Sequence, residues 1–381
     1  MHLLSFISTI LGVCKIDKIN GRKIVFVYAN DLLGDTFVKI PFFIALRQEF
    51  PSEKFHIVMV LAPSNAHMIS GLRCADTVIE EPPLHWNHGL FWICSKKKLL
   101  AESLRWALRH KAAFVIICHR SRSLGCDFAV RACSPEISVA YKIDLKTPIF
   151  PMSAKYQAKK FDKMYSYLLQ SKDGRHQIDD MRDLLSLAVG YLVELKAPNA
   201  HEVEPIFDFS VADKLPHEYV IIVPGARVEY RRWSTKRFAE LATWLNCSIV
   251  VVGSESETTL AEEIAETSGL GGRVLNLCGK TTLAQLGGVL IRSRMVITNE
   301  TGTANYAAVI GAKTVCILGG GDFGAFLPNP YCKNTLCVYS NQGCFNCGWN
   351  CPQVDLTTGI VAPCIDAVSV EAVKDAVVRL I

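Results

Sequence analysis

The sequence contains no apolar run of the roughly 20 residues that a membrane-spanning helix requires. It also lacks a large excess of charge, because 41 basic and 36 acidic side chains leave a formal net charge of +5. That balance suits an anionic ligand or a membrane-surface substrate, but it falls far below the basic patch of a nucleic-acid-binding protein. These two absences argue against an integral membrane protein and against a nucleic-acid partner.

The N-terminal segment MHLLSFISTILGVCK is apolar but lacks the basic leader and small-residue cleavage site of a secretory signal. We expect a short amphipathic helix over Leu3 to Val13 that packs on the first domain, with peripheral membrane contact as the alternative. Most of the 15 cysteines stand singly in apolar segments, as Cys118, Cys247 and Cys316 do. Such thiols behave as small core hydrophobes in a reducing compartment, so the sequence predicts a cytoplasmic protein.

Strand and helix patterns alternate along two halves of the chain, separated by a polar, proline-containing segment near Ala197 to Pro205. Because continuously apolar strands alternating with helices are typical of covered parallel sheets, we predict two α/β domains, residues 1–196 and 197–381. Each is expected to be a Rossmann-like, doubly wound parallel sheet, and the two domains face a cleft that binds ligand. The predicted strands are Lys23 to Ala29, Phe55 to Ala62, Ala113 to His119, YVIIVPG, SIVVVGS, VLNLCG, MVITN and KTVCILGG, and the predicted helices include Tyr156 to Gln170, Asp179 to Leu195 and Ser369 to Leu380.

The loop after the first strand of the second half is a candidate phosphate-binding site. In VPGARVEYRRWSTKRFAEL, the strand ends at Gly225 and Ser234 or Thr235 caps the next helix. Arg227 and Arg231 lie between them. Backbone N–H groups at a helix start, with arginine beside them, bind phosphates. The alternative is a solvated basic loop.

Two further turns in the second half carry donor-site candidates. In GSESE, Glu257 follows a strand end, where a carboxylate accepts hydrogen bonds from ribose hydroxyls. Glu255 is the alternative, and either side chain would also cap the following helix. In the second turn, glycine permits close backbone approach and the helix start favours a phosphate or sugar oxygen. Its residues are Glu300, Thr301, Gly302 and Thr303.

Four segments of the second half resemble glycosyltransferase family 9, the ADP-heptose:lipopolysaccharide heptosyltransferases: PGARVEYRRWSTKRFAEL, GSESE, LCGKTTLAQLGGVLIRSRMVITNETGTANYAAVIGAKTV and GGGDFGAFLPNP. The resemblance implies the GT-B fold, with the donor nucleotide held by the second domain. Arg231 stands where the family often has a lysine that contacts the donor phosphates, and Glu257 matches its ribose-side acid. Glu300 replaces the aspartate usual in its D-x-G turn, and Asn305 replaces a frequent histidine.

The segment GDTFVKIPFFIALRQEFP in the first half resembles the family's G-D-x-x-x-x-x-P-x-x-x-x-L-R-x-x-F-P segment. In the family this aspartate is the general base, which implies that Asp35 takes the proton of the acceptor hydroxyl in an inverting transfer. Arg231 and helix N-termini would then stabilise the leaving diphosphate without a cofactor. The alternative for Asp35 is a helix N-cap.

Basic residues of the first half are candidate acceptor contacts. Lys39, one turn after Asp35, is predicted to steer a phosphorylated acceptor or to pair with Asp35. Arg120 and Arg122 follow the strand that ends near His119, and they are predicted to bind an acceptor phosphate or carboxylate. A solvated loop is the alternative for these two arginines.

A cluster of cysteines lies near the C-terminus, in GCFNCGWNCPQVDLTTGIVAPC. Four thiolates at such spacing would form a tetrahedral site for structural zinc or iron, and the alternatives are unmetallated thiols or a disulfide. The resemblance supports a metal, because many family members carry similar cysteines, including enzymes that heptosylate autotransporter proteins. The predicted ligands are Cys344, Cys347, Cys351 and Cys364.

The motifs together predict an inverting glycosyltransferase that moves a sugar, most simply heptose, from an ADP-sugar to a lipopolysaccharide or surface-glycan acceptor. The expected place is the cytoplasm, at the inner face of the inner membrane. The alternatives are an autotransporter protein heptosyltransferase, a non-catalytic sugar-nucleotide-binding homologue and a nucleotide-sugar epimerase of the same fold. Asp35 argues against the non-catalytic alternative.

Overall fold

Residues 15–81, 102–118, 124–142, 161–171 and 174–381 are described by the structure, which is a computed structural model. The chain forms two compact units. The first comprises Met1–Asp173 and Ile178–Leu195, and the second comprises Gly174–Gln177 and Lys196–Ile381. The predicted N-terminal helix over Leu3 to Val13 lies outside the described residues. No helix within the described ranges is long and apolar enough to cross a bilayer.

The first unit is built on a parallel sheet flanked by helices. Its strands are β1 (Lys18–Ile19), β2 (Arg22–Tyr28), β3 (Phe55–Leu61), β4 (Thr77–Glu80), β5 (Phe114–Ile117), β6 (Ile137–Tyr141) and β7 (Tyr167–Leu169). Its helices are α1 (Leu33–Val38), α2 (Ile40–Glu49), α3 (Pro63–Gly71), α4 (Glu102–Arg109), α5 (Leu124–Cys133) and α6 (Gln177–Val189). The strand order is β4-β3-β2-β5-β6-β7, with β1 antiparallel to β2 and the other pairs parallel.

The central strands of this sheet are apolar on both faces, as covered parallel sheets require. Phe26 of β2 stands in register with Val58 of β3 and Val115 of β5. All three side chains are fully buried, and Trp106 of α4 stacks on Phe26 with ring centroids 5.2 Å apart. The uninterrupted apolar runs in the sequence therefore reflect helices packed on the sheet.

The second unit repeats the design. Its strands are β8 (Tyr219–Val223), β9 (Ser248–Val251), β10 (Val274–Asn276), β11 (Met295–Asn299), β12 (Thr314–Ile317) and β13 (Thr335–Val338). Its helices are α7 (Ala200–Val203), α8 (Thr235–Leu245), α9 (Thr258–Ser268), α10 (Leu283–Arg292), α11 (Gly302–Val309), α12 (Pro363–Asp366) and α13 (Val370–Leu380). The order β10-β9-β8-β11-β12-β13 is fully parallel.

Both sheets have the strand order of the Rossmann fold, in which the first strand of the series lies in the middle and the fourth pairs with its other side. The direction of winding reverses between β2 and β5 in the first sheet and between β8 and β11 in the second. Open α/β sheets bind ligands at the carboxyl ends of the strands at such a switch point. The loops after these four strands are therefore where a site is expected. The predicted pair of α/β domains is confirmed.

One sequence-based prediction about a helix was wrong. The range Tyr156 to Gln170 was expected to be helical, but Tyr167–Leu169 forms β7 and completes the edge of the first sheet beside β6. Its three residues are too few to show an alternating pattern, so only the pairing with β6 defines the strand. The last helix is helical as predicted, and Val373 and Val377 of α13 join the core of the second unit beside Phe238.

Candidate functional site

Asp35 lies just after the carboxyl end of β2, at the switch point of the first sheet. It is the third residue of α1, and its side chain is half-buried. The N-cap of α1 is Leu32, so the alternative interpretation of Asp35 as an N-cap is wrong. A carboxylate in the first turn of a helix is favoured electrostatically by the helix dipole. The structure therefore places a carboxylate, held by a short helix, where ligands of this fold bind.

A buried ion pair fixes the loop that precedes Asp35. The ammonium of Lys39 is fully buried, pairs with Asp31 and donates to the carbonyl oxygen of Cys118 at 2.9 Å. Asn65, also fully buried, donates to the Asp31 carbonyl at 3.0 Å and to Thr36 Oγ1 at 2.7 Å. These bonds join the end of β2, the end of β5 and the start of α3 around one turn. Satisfied buried networks of this kind make a loop rigid.

The predicted pairing of Lys39 with Asp35 is wrong. Helix α1 ends at Val38, and Lys39 is its C-cap, so the lysine side chain turns towards Asp31 instead of rising along the helix face above Asp35. Because the ammonium is fully buried, it is not exposed for the predicted contact with a phosphorylated acceptor. Arg120 and Arg122 lie outside the described residues, so their predicted role in acceptor binding remains a prediction.

In the second unit, Glu257 spans the ends of two neighbouring strands. Its Oε2 accepts hydrogen bonds from Ser254 N at 2.7 Å and from Ser254 Oγ at 3.0 Å, which completes a capping box before α9. A Cβ on Gly225 would stand only 1.7 Å from Glu257 Oε1, and one on Gly253 would stand 2.5 Å from Oε2. Both glycines are needed for the carboxylate to lie there. Glu255, the alternative, is exposed.

Asn299, which was not among the residues predicted from the sequence motifs, connects the loops after β8 and β11. Its side-chain amide donates to Pro224 O at 2.7 Å, and its Oδ1 accepts from Trp233 N at 3.0 Å. An asparagine that ends an otherwise apolar strand is the sequence signal that could have identified it, and in the structure its side chain is fully buried. Two residues later, Thr301 caps α11 by accepting from Ala304 N at 3.3 Å. Gly302 and Thr303 are then the first two residues of the helix, so its N–H groups open at the switch point.

Arg231 lies between a carboxylate and an aromatic ring. Its Nη2 donates to Asp322 Oδ2 at 3.2 Å, and its guanidinium carbon stands 4.0 Å above the centre of the Trp349 ring. The indole N–H of Trp349 donates to the same Asp322 oxygen at 2.6 Å. Arg227, by contrast, has an exposed side chain. Asp322 and Trp349 lie within segments that the sequence singled out, but only the fold brings them to Arg231.

Three buried polar atoms in the loops after β8 and β11 and in the first turn of α11 have no hydrogen-bond partner among the described residues: Arg231 Nε, Glu300 Oε2 and Asn305 Oδ1. Burial raises the pKa of Glu300 to about 7. The nearby Arg231 guanidinium opposes this rise, and the Asp322 carboxylate adds to it. Buried polar groups are almost always paired, and an unpaired one costs about 1–3 kcal/mol. The cluster therefore has the properties of a site that is completed by a ligand.

The cysteine-rich segment, Gly343–Cys351, packs on the glycine loop Gly319–Gly321. A Cβ on Gly320 would meet the Phe345 ring at 2.5 Å, and one on Gly321 would meet the Trp349 ring at 2.3 Å. The backbones are joined as well, because Asn346 N donates to Gly320 O at 2.7 Å and Gly348 N donates to Gly321 O at 2.9 Å. Three consecutive glycines thus let two aromatic rings lie directly on the backbone.

The four candidate metal ligands do not form a metal-holding group. No set of three or more His, Cys, Asp or Glu side chains in the described ranges is arranged to hold a metal ion. Cys364 Sγ accepts from Gly320 N at 3.4 Å. Burial raises the pKa of its thiol, and the nearby Cys344 and Cys347 add to the rise. A structural zinc or iron held by Cys351 and these three cysteines therefore remains a prediction.

Comparison with solved structures gives matches along nearly the whole chain. The structure of E. coli heptosyltransferase WaaC with ADP superposes with a TM-score of 0.66 at 16% identity, covering 94% of this chain and 100% of the other. E. coli ADP-heptose lps heptosyltransferase II matches with a TM-score of 0.63 at 13% identity, covering 93% and 98%. The iron-containing dodecameric glycosyltransferase TibC from enterotoxigenic E. coli matches with a TM-score of 0.51 at 11% identity, covering 96% and 77%. At these identities the matches establish the shared fold.

Comparison with curated protein sequences gives no match. The family model of glycosyltransferase family 9 (heptosyltransferase) matches residues 153–351, which is more than half of the chain. The matched range contains the loops after β8, β9 and β11 and three of the four clustered cysteines. Together with the two Rossmann-type sheets, this match means that the chain belongs to glycosyltransferase family 9 and is a glycosyltransferase with the GT-B fold.

Proposed function

We propose that this enzyme transfers a heptose from ADP-heptose to a hydroxyl of a lipopolysaccharide or surface-glycan acceptor, with inversion at the anomeric carbon. The family description and the heptosyltransferases among the structural matches support the choice of donor. A lipopolysaccharide acceptor would be met at the inner face of the inner membrane, where the mild excess of basic residues suits an anionic glycolipid.

The observation that carries the proposal is the set of unpartnered polar atoms at the second switch point. Glu300 Oε2 and Asn305 Oδ1 are acceptors, and Arg231 Nε is a donor. A sugar diphosphate supplies the complementary groups, because its hydroxyls donate and its phosphate oxygens accept. A simple inorganic anion would satisfy the arginine and leave both acceptors unpaired. The mixture of donor and acceptors therefore favours a sugar nucleotide.

The surrounding elements supply the other contacts that such a donor needs. The N-terminal turn of α11, from Thr301 to Thr303, presents backbone N–H groups to a phosphate. Glu257 holds a carboxylate over Gly225 that can accept hydrogen bonds from two ribose hydroxyls. We assign Arg231 and the start of α11 to the diphosphate, Glu257 to the ribose, and Glu300 to the sugar. Arg227 is assigned to longer-range attraction of the donor, because its side chain is exposed.

We assign the role of general base to Asp35. As the acceptor oxygen forms its bond to the anomeric carbon, the carboxylate of Asp35 takes the hydroxyl proton. The bond between the anomeric carbon and the β-phosphate oxygen breaks, and its electron pair leaves with ADP. Arg231 and the N–H groups of α11 stabilise the charge that develops on the diphosphate. Lys39 acts indirectly by holding the turn before Asp35, and Arg120 and Arg122 are proposed to bind the acceptor.

Titration calorimetry with ADP, UDP, GDP and CDP tests the donor site. We expect selective binding of ADP, weakened about tenfold or more by Arg231→Ala because a charge-assisted phosphate contact is lost. Arg294→Ala is the matched control, since Arg294 directly precedes β11 at the opposite end of the same sheet and has an exposed side chain. A preference for UDP or GDP would discard ADP-heptose but keep the enzyme class. Failure to bind any of the four nucleotides would overturn the proposal.

A further inference from the structure

Arg231 belongs to a closed set of three contacts within the second unit. Its guanidinium carbon lies 4.0 Å from the centre of the Trp349 ring, Asp322 accepts from its Nη2, and the Trp349 indole donates to the same carboxylate oxygen. Arg231 and Asp322 are 91 residues apart in sequence. Each member therefore holds the other two, and the Nε of Arg231 is left without a partner among the described residues.

The position of Trp349 is specified by its surroundings. A side chain on Gly319 or Gly321 would collide with the indole at 2.5 Å and 2.3 Å, so the ring lies directly on the loop backbone. The ring of Tyr230 also packs against the indole, with ring centroids 5.5 Å apart. The backbone of Trp349 is left-handed, with φ of 62°, a conformation that large side chains rarely adopt. Such a conformation persists where surrounding contacts over-determine it, and it is concentrated at functional positions.

We propose that Trp349 and Asp322 are positioning residues that hold the Arg231 guanidinium ready for the donor diphosphate, so that the cysteine-rich segment Gly343–Cys351 is a working part of the donor site. This inference rests on the proposed function. A free arginine side chain samples many rotamers and loses that freedom when it binds a phosphate. Stacking on Trp349 and the charged hydrogen bond to Asp322 restrict the Arg231 side chain before the donor binds. Less conformational entropy is then lost on binding, which improves affinity.

The chemistry of the arginine side chain explains why its positioning by an aromatic ring and a carboxylate suits arginine. A guanidinium is planar and weakly hydrated, and it stacks on aromatic rings. A lysine ammonium is a compact, strongly hydrated charge that needs no such plane. In this chain the ring over the guanidinium comes from the cysteine-rich segment. We therefore expect the contribution of Trp349 to depend on the presence of Arg231.

A double-mutant cycle with the full-length chain tests this dependence. ADP affinity is measured by calorimetry for wild type, Trp349→Leu, Arg231→Ala and the double variant. We expect Trp349→Leu to weaken ADP binding about five- to tenfold in the wild-type background and less than twofold in the Arg231→Ala background. Trp349→Phe keeps a ring over the guanidinium but removes the hydrogen bond to Asp322, and should weaken binding about two- to threefold.

The outcomes are separable. Unchanged ADP affinity in Trp349→Leu would overturn the positioning role. An equal loss of affinity in both backgrounds would overturn it as well, because Trp349 would then act on the nucleotide or on the fold independently of Arg231. Thermal unfolding of each variant identifies a loss of fold. If Trp349→Leu fails to fold, the same comparison of backgrounds is made with Trp349→Phe, and an equal loss in both again overturns the inference. A wild-type protein that binds no nucleoside diphosphate would instead overturn the proposed function itself.

Discussion

The two sheets have the same strand order, yet the polar side chains at their switch points are in opposite states. In the first unit, Lys39 is paired with Asp31 and bonded to a backbone carbonyl, and Asn65 fastens the same turn. In the second unit, Arg231 and Glu300 are close enough to affect one another electrostatically, yet each keeps a buried atom without a partner among the described residues.

This difference matches two tasks. A satisfied network fixes a turn, which suits Asp35 in its proposed role as a general base that is held in one place. A cluster with unpartnered buried atoms is unfavourable by itself and gains most when a ligand completes it. Identical topology thus supplies the location in both units, and the pairing of side chains decides whether a location is a rigid support or a binding site.

The first prediction has the largest expected effect and tests whether the first unit contributes to sugar transfer without contributing to ADP binding. Asp35→Asn removes the proton acceptor, so we expect the rate of sugar transfer from ADP-heptose to fall by about 10²- to 10⁴-fold. ADP affinity should be unchanged, because the proposed donor contacts lie in the second unit. Asp17→Asn, at an exposed aspartate of the first unit, is the control. Wild-type transfer by Asp35→Asn would remove the catalytic role and leave the non-catalytic alternative standing.

The second prediction concerns the paired network of the first unit. Lys39→Met deprives the buried Asp31 carboxylate of its ion-pair partner, which we expect to lower the free energy of unfolding by about 3–5 kcal/mol in urea titrations. Lys23→Met is the matched control, because the Lys23–Glu136 pair spans 3.6 Å with both side chains about half exposed. Its loss should be below about 1 kcal/mol. Equal losses in both variants would show that the buried pair does not support the turn.

The third prediction uses the pKa of Glu300, which is raised to about 7 in the folded protein. Between its unfolded value near 4.5 and pH 7, the folded state holds the proton more tightly, so this group makes wild type less stable as pH rises through that window. Glu300→Gln should remove that slope and exceed wild type in stability at pH 8 by roughly 2–3 kcal/mol. The measurement is urea unfolding at pH 5 and pH 8 without nucleotide. Parallel pH profiles for the two proteins would contradict the burial of an uncompensated carboxylate.

The fourth prediction has the smallest expected effect and distinguishes Glu257 from Glu255, the two acidic residues in the loop after β9. Glu257→Gln keeps the capping box, since glutamine can fill the same position, but it removes the charge proposed to meet the ribose hydroxyls. We expect ADP affinity to fall about three- to tenfold with unfolding unchanged. Glu255→Gln, at the exposed acid two residues earlier, should change the affinity less than twofold. A larger effect at Glu255 would reverse the assignment.

The fold was largely predictable, because each strand of the central sheets is a short apolar run that ends at a polar turn. The failures were local. Tyr167–Leu169 is too short to carry a period of its own, and it is a strand only because β6 offers it a free edge. The partner of Lys39 was likewise misassigned, since the position where α1 ends decides the direction of that side chain.

The sequence by itself determined the two-domain α/β class, the segment around Asp35, and the loops with Arg231, Glu257 and Glu300, because strand periodicity and turn chemistry are local properties. Only the tertiary structure decided which side chains meet. Asp322 and Trp349 reach Arg231 from loops about a hundred residues further along the chain, at a point where parallel strands end side by side. Whether a buried polar atom has a partner depends on every element packed around it. For that reason, no local pattern could reveal that Glu300 and Arg231 keep buried atoms without a partner among the described residues while Lys39 is paired.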